Sequence, residues 1–394
     1  MSQRYQGGIL GVGFNPLQAP NAPTIGTATA GDASATVAFT APANVGGSAI
    51  TQYTTRSNPG NFAGVAAGSP ITVSGLSNGT AYTFGVFARN SYGPSPISAF
   101  SNSVTPAADG TLGIFALQGN TTTRNKYTYS GCVVSAGGAS TAPSAAGSAA
   151  GNSTVGVFAL GLASYVVSTT RDKYTYSGCV VSAGGAATVG AYAGSATGNS
   201  TVGIFALGST PGQSTTRNKY TYSGCVVGAG GAASQASRIG SAVGNSTVGI
   251  FALGFVCGTY SATRDKYTYS GCVVSAATSA TVASSGGSAV GNGTAGIFAL
   301  GSASCTPIST REKYTYASNV VSAATAATAA SRSGSAAGNS TVGIFALGYA
   351  SGVGNVTTRN KYTYSGDVVS TGGAATAATQ ENSAAGNGTI GVNT

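Results

Sequence analysis

The most regular feature of the chain is an apolar run, Gly-Ile-Phe-Ala-Leu or Gly-Val-Phe-Ala-Leu, that begins at Gly113, Gly156, Gly203, Gly249, Gly296 and Gly343. Each run is short and continuous, the pattern of a strand covered on both faces. After a loop of variable sequence comes Thr-Arg-(Asn/Asp/Glu)-Lys-Tyr-Thr-Tyr, which alternates with a period of two. Lys173 and Thr175 fall on one face and Tyr174 and Tyr176 on the other. Ser177-Gly178 reads as a hairpin turn into a strand Cys179-Val180-Val181, and Gly198-Asn199 as a turn between a Ser/Ala-rich strand and the next apolar run. The pattern predicts four strands per unit, at a spacing of 43 to 47 residues, with a truncated seventh copy ending at Thr394.

Four antiparallel strands repeating at this interval are the signature of a β-propeller, because a lone four-stranded unit cannot bury its own faces. Six units over residues 108–394 predict six blades, starting near 113, 156, 203, 249, 296 and 343. The run at Gly113 has no Ser/Ala strand of its own before it, whereas Asn382-Ser383-Ala384-Ala385-Gly386-Asn387 is left over at the far end. That tail is expected to supply the missing strand of blade 1 and close the ring. In layout the unit resembles the kelch repeat: a small-residue strand, a turn, an apolar strand, a variable loop and a strand centred on Tyr. It lacks the Trp of the fourth kelch strand and usually the second Gly, so the resemblance implies the blade and not a kelch function.

Residues 20–107 have a different texture and resemble a fibronectin type III domain. The resemblance is carried by Pro20-Asn21-Ala22-Pro23, Ala35-Thr36-Val37-Ala38-Phe39, Ile50-Thr51-Gln52-Tyr53 and Ser69-Pro70-Ile71-Thr72-Val73-Ser74-Gly75-Leu76. The run from Asn78 to Asn90 completes it, with Tyr82 as the implied tyrosine-corner residue. Phe39 stands where the family usually has a buried Trp, and no Arg-Gly-Asp tripeptide is present to imply integrin binding. The expected fold is therefore all-β, a fibronectin type III β-sandwich followed by a six-bladed β-propeller.

Composition narrows the chemistry. Charged residues make up 6% of the chain and His is absent, which excludes Ser-His-Asp and Cys-His nucleophiles and His-ligated zinc. Asp172, Asp265 and Glu312 alternate with Asn125, Asn218 and Asn360 at one repeat position, so that position does not demand a carboxylate. No facing pair of acids can be nominated for glycoside hydrolysis. No enzyme activity, catalytic residue, cofactor or metal is expected. The net charge of +10 comes mainly from the Arg and Lys of the repeated motif, spread as pairs without a run or stripe. Those pairs read as structural or rim-exposed, facing an anionic particle or cell surface, and nucleic acid is not an expected partner. Asn-x-Ser/Thr at Asn152, Asn199, Asn245, Asn292, Asn339 and Asn387 reads as hairpin turns.

Cys132, Cys179, Cys225 and Cys272 share a repeat position with Asn319 and Asp367, and read as small polar filler. Cys257 and Cys305 differ: they lie eight and nine residues after their apolar-run glycines, at matching places in adjacent variable loops, and are a candidate disulfide.

Residues 1–19 are expected to form an assembly arm, with Ile9, Leu10, Val12 and Phe14 as apolar anchors that add to a neighbour's sheet. No stretch reads as a signal peptide or a membrane span, so no membrane insertion is expected. The arm followed by a Pro- and Thr-rich start to the sandwich resembles the opening of structural proteins of marine tailed phages, cyanophages especially. That resemblance implies a virion protein, a capsid decoration or tail-associated appendage. It would be a homo-oligomer or present in many copies on the particle, assembled in the host cytoplasm with other capsid or tail proteins and exposed after lysis. The alternative expectation is a receptor- or glycan-binding adhesin that reads a host-surface glycan through loops 161–169, 208–214, 254–262 and 301–309.

Overall fold

The computed structural model describes residues 18–31, 33–106, 112–117, 121–129, 131–164, 166–210, 212–378 and 381–386. The chain divides into two units, Met1–Ala108 and Asp109–Thr394, and among the described residues all regular elements but one short 3-10 turn are β-strands. The arm anchors Ile9, Leu10, Val12 and Phe14 lie outside the described residues.

In the first unit, alternation of apolar and polar residues gives each strand one face for a core. Thr24–Gly31, Ser34–Thr40 and Ile71–Ser74 form a three-stranded antiparallel sheet. Ala63–Ala66, Gln52–Asn58, Thr83–Asn90 and Gly93–Pro94 form a four-stranded one. Both sheets turn their apolar faces to one core of Val37, Val73, Phe84 and Val86, and the Phe39 and Tyr53 rings meet at 4.8 Å between centroids. Tyr82 is buried, and its hydroxyl accepts a hydrogen bond from the Ser77 amide at 3.1 Å. Ser95, Ser98 and Ser101 each accept from the strand Thr83–Asn90 through the hydroxyl, on the amides of Ala88, Val86 and Phe84.

The second unit is built from six open, antiparallel, four-stranded sheets with the same order of strands. In the second sheet that order is Ser148–Gly151, Val155–Ala159, Arg171–Thr175, Val180–Ala183. The first sheet is assembled from both ends of the unit. Glu381–Gly386 pairs with Leu112–Leu117, with Ala384 opposite Phe115 and Gly386 opposite Gly113, and Arg124–Thr128 and Val133–Ala136 complete it. The first strands of the remaining sheets are Ser195–Gly198, Ser241–Gly244, Ser288–Gly291 and Ser335–Gly338. Each touches the first strand of the next sheet; Ser335–Gly338 touches Glu381–Gly386, which touches Ser148–Gly151, so the contacts run in a cycle.

Small residues make this approach close. All four residues of Ser148–Gly151, and of its four counterparts beginning at Ser195, Ser241, Ser288 and Ser335, are buried. The glycine that opens each apolar run faces the residue just before the closing glycine of the preceding sheet's first strand. A Cβ at Gly203 would stand 3.2 Å from the Ala150 Cβ, one at Gly249 2.5 Å from Thr197 Cγ2, and one at Gly343 2.3 Å from Val290 Cγ1. No larger residue fits these sockets without displacing a neighbour.

The turn between the third and fourth strands departs from the sequence expectation. The cysteine does not start the fourth strand. Cys132, Cys179, Cys225, Cys272, Asn319 and Asp367 all occupy the left-handed region, with φ between 51° and 56°, and the strand begins one residue later. Asn and Asp tolerate this conformation better than most residues, which accounts for two of the three residue types found there. The position thus has a backbone role beside its filler role, in which Cys132, Cys179, Cys225 and Cys272 pack against the buried clusters.

Candidate functional site

The seams between neighbouring sheets hold the most concentrated chemistry in the molecule. In the third strand, alternation sends Arg and Lys toward the following sheet and Asn, Asp or Glu with the tyrosines toward the preceding one. Arg124 donates to Asp172 Oδ2 at 2.8 Å, Arg217 to Asp265 at 2.7 Å and Arg264 to Glu312 at 2.7 Å. Arg171 donates to Asn218 Oδ1 at 3.0 Å, Arg311 to Asn360 at 3.0 Å and Arg359 to Asn125 at 3.2 Å. The last of these joins the sixth sheet to the first, so the six bonds form a head-to-tail cycle.

Each guanidinium also lies over a phenylalanine of the following sheet. The distances to the ring centroid run from 4.4 to 4.6 Å, from Arg124 over Phe158 round to Arg359 over Phe115. A desolvated cation over an aromatic face contributes about 2 kcal/mol. All six arginines are at most 2% exposed. Of the two readings of the Arg/Lys pairs, structural and rim-exposed, the arginines take the structural one: the planar group is wedged between sheets, and the lysines remain partly exposed.

The mixture of Asn, Asp and Glu at the acceptor position has a physical reason. A hydroxyl residue from the connection between sheets adjusts to either chemistry. Thr141 donates both its amide and its hydroxyl to Asp172, whereas Thr188 donates its amide to Asn218 Oδ1 and accepts from Asn218 Nδ2 at 2.8 Å. A hydroxyl can donate or accept by rotation. Burial lowers the pKa values of Arg124, Arg171, Arg217, Arg264 and Arg311, opposed at Arg124, Arg217 and Arg264 by their carboxylates. Arg171 and Arg311, without that compensation, are brought down to about 10.

The Asn-x-Ser/Thr tripeptides serve hairpins. Asn152 Oδ1 accepts from the amides of Thr154 and Val155 at 2.9 Å, and Asn152 Nδ2 donates to the Ser200 carbonyl in the next sheet at 2.9 Å. Asn199, Asn245 and Asn292 repeat both contacts. Asn387 lies outside the described residues.

Opposite these turns lie the variable loops, and backbone pairing ties them together. Loop strands Leu162–Ala163, Phe255–Val256 and Tyr349–Ala350 pair with Ser144–Ala145, Ser237–Arg238 and Ser331–Arg332, which come from the connections between sheets. Inside this belt, Ala146, Ala193, Ile239, Gly286 and Ser333 all have φ between 51° and 66°. Each amide after the first donates to the carbonyl of the residue before it in this series, at 2.8 to 3.0 Å. The side chains that differ from loop to loop gather on this face. Arg238 lies 5.4 Å from the Phe255 ring centroid and Arg332 4.9 Å from that of Tyr349, while the Tyr260 hydroxyl accepts from the Cys305 amide at 3.0 Å.

Cys257 and Cys305 are exposed free thiols, and the Cys257 amide donates to Gln213 Oε1 of the neighbouring loop. Sequence reasoning missed the aromatic–arginine pairs of this face. Their signal was that Arg238 and Arg332 are the two arginines of residues 109–394 outside the repeated motif.

Among the described residues, no three His, Cys, Asp or Glu side chains gather to hold a metal ion, and no helix is long and apolar enough to cross a membrane. No family model and no curated protein match the sequence. Among solved structures, it is similar to a segment of titin, 27% identical over 23% of this chain and 32% of that one, with a TM-score of 0.20. It is also similar to the twitchin kinase region of C. elegans, 24% identical over 23% of this chain and 17% of that one, with a TM-score of 0.21. The chain thus spans a third or less of either relative, and TM-scores this low define no common architecture.

Proposed function

We propose that the protein is a non-enzymatic scaffold in which a fibronectin type III-like sandwich precedes a six-bladed β-propeller whose first blade is completed by the C-terminal strand. The observation that carries this reading is the cycle of six arginine seams. The repeated arginines, their acceptors and the repeated aromatic residues are consumed in holding one sheet to the next, and the residues that vary from repeat to repeat are displayed on the loop face. In five of the sheets every residue of the first strand is buried, so among the described residues those strands line no solvent-filled channel, where a propeller would otherwise hold a substrate.

Such a rigid display module suits a virion structural protein, a capsid decoration or tail-associated appendage. The arm residues Ile9, Leu10, Val12 and Phe14 would attach it to other particle proteins in many copies. Removing residues 1–17 tests this: loss of the protein from purified particles, followed by mass spectrometry, with the remaining chain still folded, supports the reading. Retention at full copy number overturns it.

The aromatic–arginine pairs of the loop face favour a second reading, a glycan-binding adhesin. Rings such as Phe255 and Tyr349 offer stacking surfaces, and Arg238 and Arg332 offer hydrogen-bond donors. Binding on a glycan array that disappears in Arg238→Ala and Arg332→Ala, without loss of folding, would establish it.

A further inference from the structure

On the loop face the belt of left-handed residues sets Ile239, Gly286 and Ser333 side by side. The Gly286 amide donates to the Ile239 carbonyl at 3.0 Å and the Ser333 amide to the Gly286 carbonyl at 2.8 Å. The residues just before these three, Arg238, Ser285 and Arg332, are therefore neighbours in the same order. Each pairs with a residue of its own loop: Arg238 with Phe255, Ser285 with Ser302 and Arg332 with Tyr349. Two guanidinium–ring stacks thus flank a step at which both residues are serine. Gly286 adds no side chain to that step; a Cβ there would lie 3.7 Å from Ile239 Cγ2 and 3.9 Å from Arg332 Cβ.

Tyr260 ties one stack to the other. It pairs with Phe255, the rings edge to face at 5.5 Å, and its hydroxyl accepts from the Cys305 amide. Contact with the Cys305 thiol raises the Tyr260 pKa and the charge of Arg332 opposes the rise, so the phenol lies within the field of Arg332. Both arginines and the three rings are half-exposed. Among the described residues neither arginine meets a carboxylate, because Asp172, Asp265 and Glu312 are taken up in the seams and Asp367 by Lys313. A guanidinium laid flat on a ring keeps its N–H edge for an anion with paired oxygens.

Building on the adhesin reading, we propose that the two stacks and the serine step between them form a binding site for an acidic glycan. Its carboxylate or sulfate groups are held by Arg238 and Arg332, and its sugar rings lie against Phe255, Tyr260 and Tyr349. The small residues of the step leave the space that a saccharide chain needs to reach both cations.

The test measures binding of the full chain to polygalacturonate, dextran sulfate and uncharged dextran, and to an array of neutral and acidic glycans. It compares the natural protein with Arg238→Gln plus Arg332→Gln, with Ser285→Glu, which sets a carboxylate between the two cations, and with Lys126→Gln plus Lys219→Gln, which removes equal charge from the repeated motif. Thermal melts confirm that each variant folds. The expected result is binding of an acidic polymer and not of dextran, weakened about tenfold or more by the arginine pair and by Ser285→Glu, and barely changed by the lysine pair. Polygalacturonate against dextran sulfate tells carboxylate from sulfate. Equal weakening by the arginine and lysine pairs, or unchanged binding in Ser285→Glu, overturns the proposal. Binding of neutral glycans alone that depends on Arg238 and Arg332 overturns the acidic class and leaves the adhesin reading standing, whereas no binding to any glycan overturns both.

Discussion

Arg217 and Asp265 offer a direct probe of what the seams contribute. The pair is separated by 2.7 Å, both side chains are almost completely buried, and Asp265 also accepts from the amide and hydroxyl of Ser234. Replacing Arg217 by Met keeps much of the apolar contact with Phe251 but leaves Asp265 buried without its cation. Breaking a buried pair from one side costs about 3 to 5 kcal/mol. Replacing Asp265 by Asn is a milder change, because Asn already accepts from arginine at three equivalent seams and the Ser234 hydroxyl can reverse its hydrogen bond. The loss there is about 1 to 2 kcal/mol, the difference between a charged and a neutral acceptor. At about 2 to 4 °C per kcal/mol for a large domain, calorimetry should find Tm lowered by roughly 6 to 20 °C in Arg217→Met and by roughly 2 to 8 °C in Asp265→Asn. Equal losses in the two variants, or no loss in Arg217→Met, would refute the reasoning.

Three further outcomes follow from the packing. Gly343→Ala should destabilise more than Gly156→Ala, both by about 1 to 3 kcal/mol, because the new Cβ lands 2.3 Å from Val290 Cγ1 in the first case and 3.1 Å from the small Ala385 Cβ in the second; chemical denaturation of both variants checks the order. Val243→Thr should be neutral or stabilising by up to about 1 kcal/mol, since it offers the buried, unpartnered Tyr316 hydroxyl the hydroxyl neighbour that Thr197 gives Tyr269; a loss above that size in denaturation would count against it. Burial raises the pKa values of Tyr176, Tyr222, Tyr269 and Tyr316 above the ordinary phenol value. The neutral form is thus favoured in the folded state, and its stabilisation is complete below about pH 10 and lost as pH rises further. Ultraviolet titration should show these phenols ionising only as the protein unfolds.

Much of this architecture was legible because it is written in periodicity. The apolar runs, the first tyrosine of each pair and the spare Ser/Ala strand each lie in a four-stranded sheet, and the spare strand pairs with Leu112–Leu117. The arginines were harder, because an Arg two residues from a Lys ordinarily signals a solvated face. The available clue was that all six copies keep Arg and never exchange it for Lys, as a flat stacked cation requires. The backbone role of the turn cysteines was missed for a related reason: a position shared by Cys, Asn and Asp reads as filler alone unless backbone sign is considered. The small strands that join the variable loops were beyond reach, since two-residue pairs such as Ser331–Arg332 with Tyr349–Ala350 have no sequence period.

The central claim is that the six sheets form a cycle closed by the two ends of the second unit, through the strand Glu381–Gly386 and the contacts of Arg359 with Asn125 and Phe115. Unfolding of a chain ending at Ala378 tests it most directly, because the truncation removes that strand and exposes the unpaired edge of Leu112–Leu117. The cycle predicts a sharply lower Tm and the loss of amide-exchange protection at Ile114 and Ala116, beside the missing strand. An unchanged Tm with those amides still protected would contradict it.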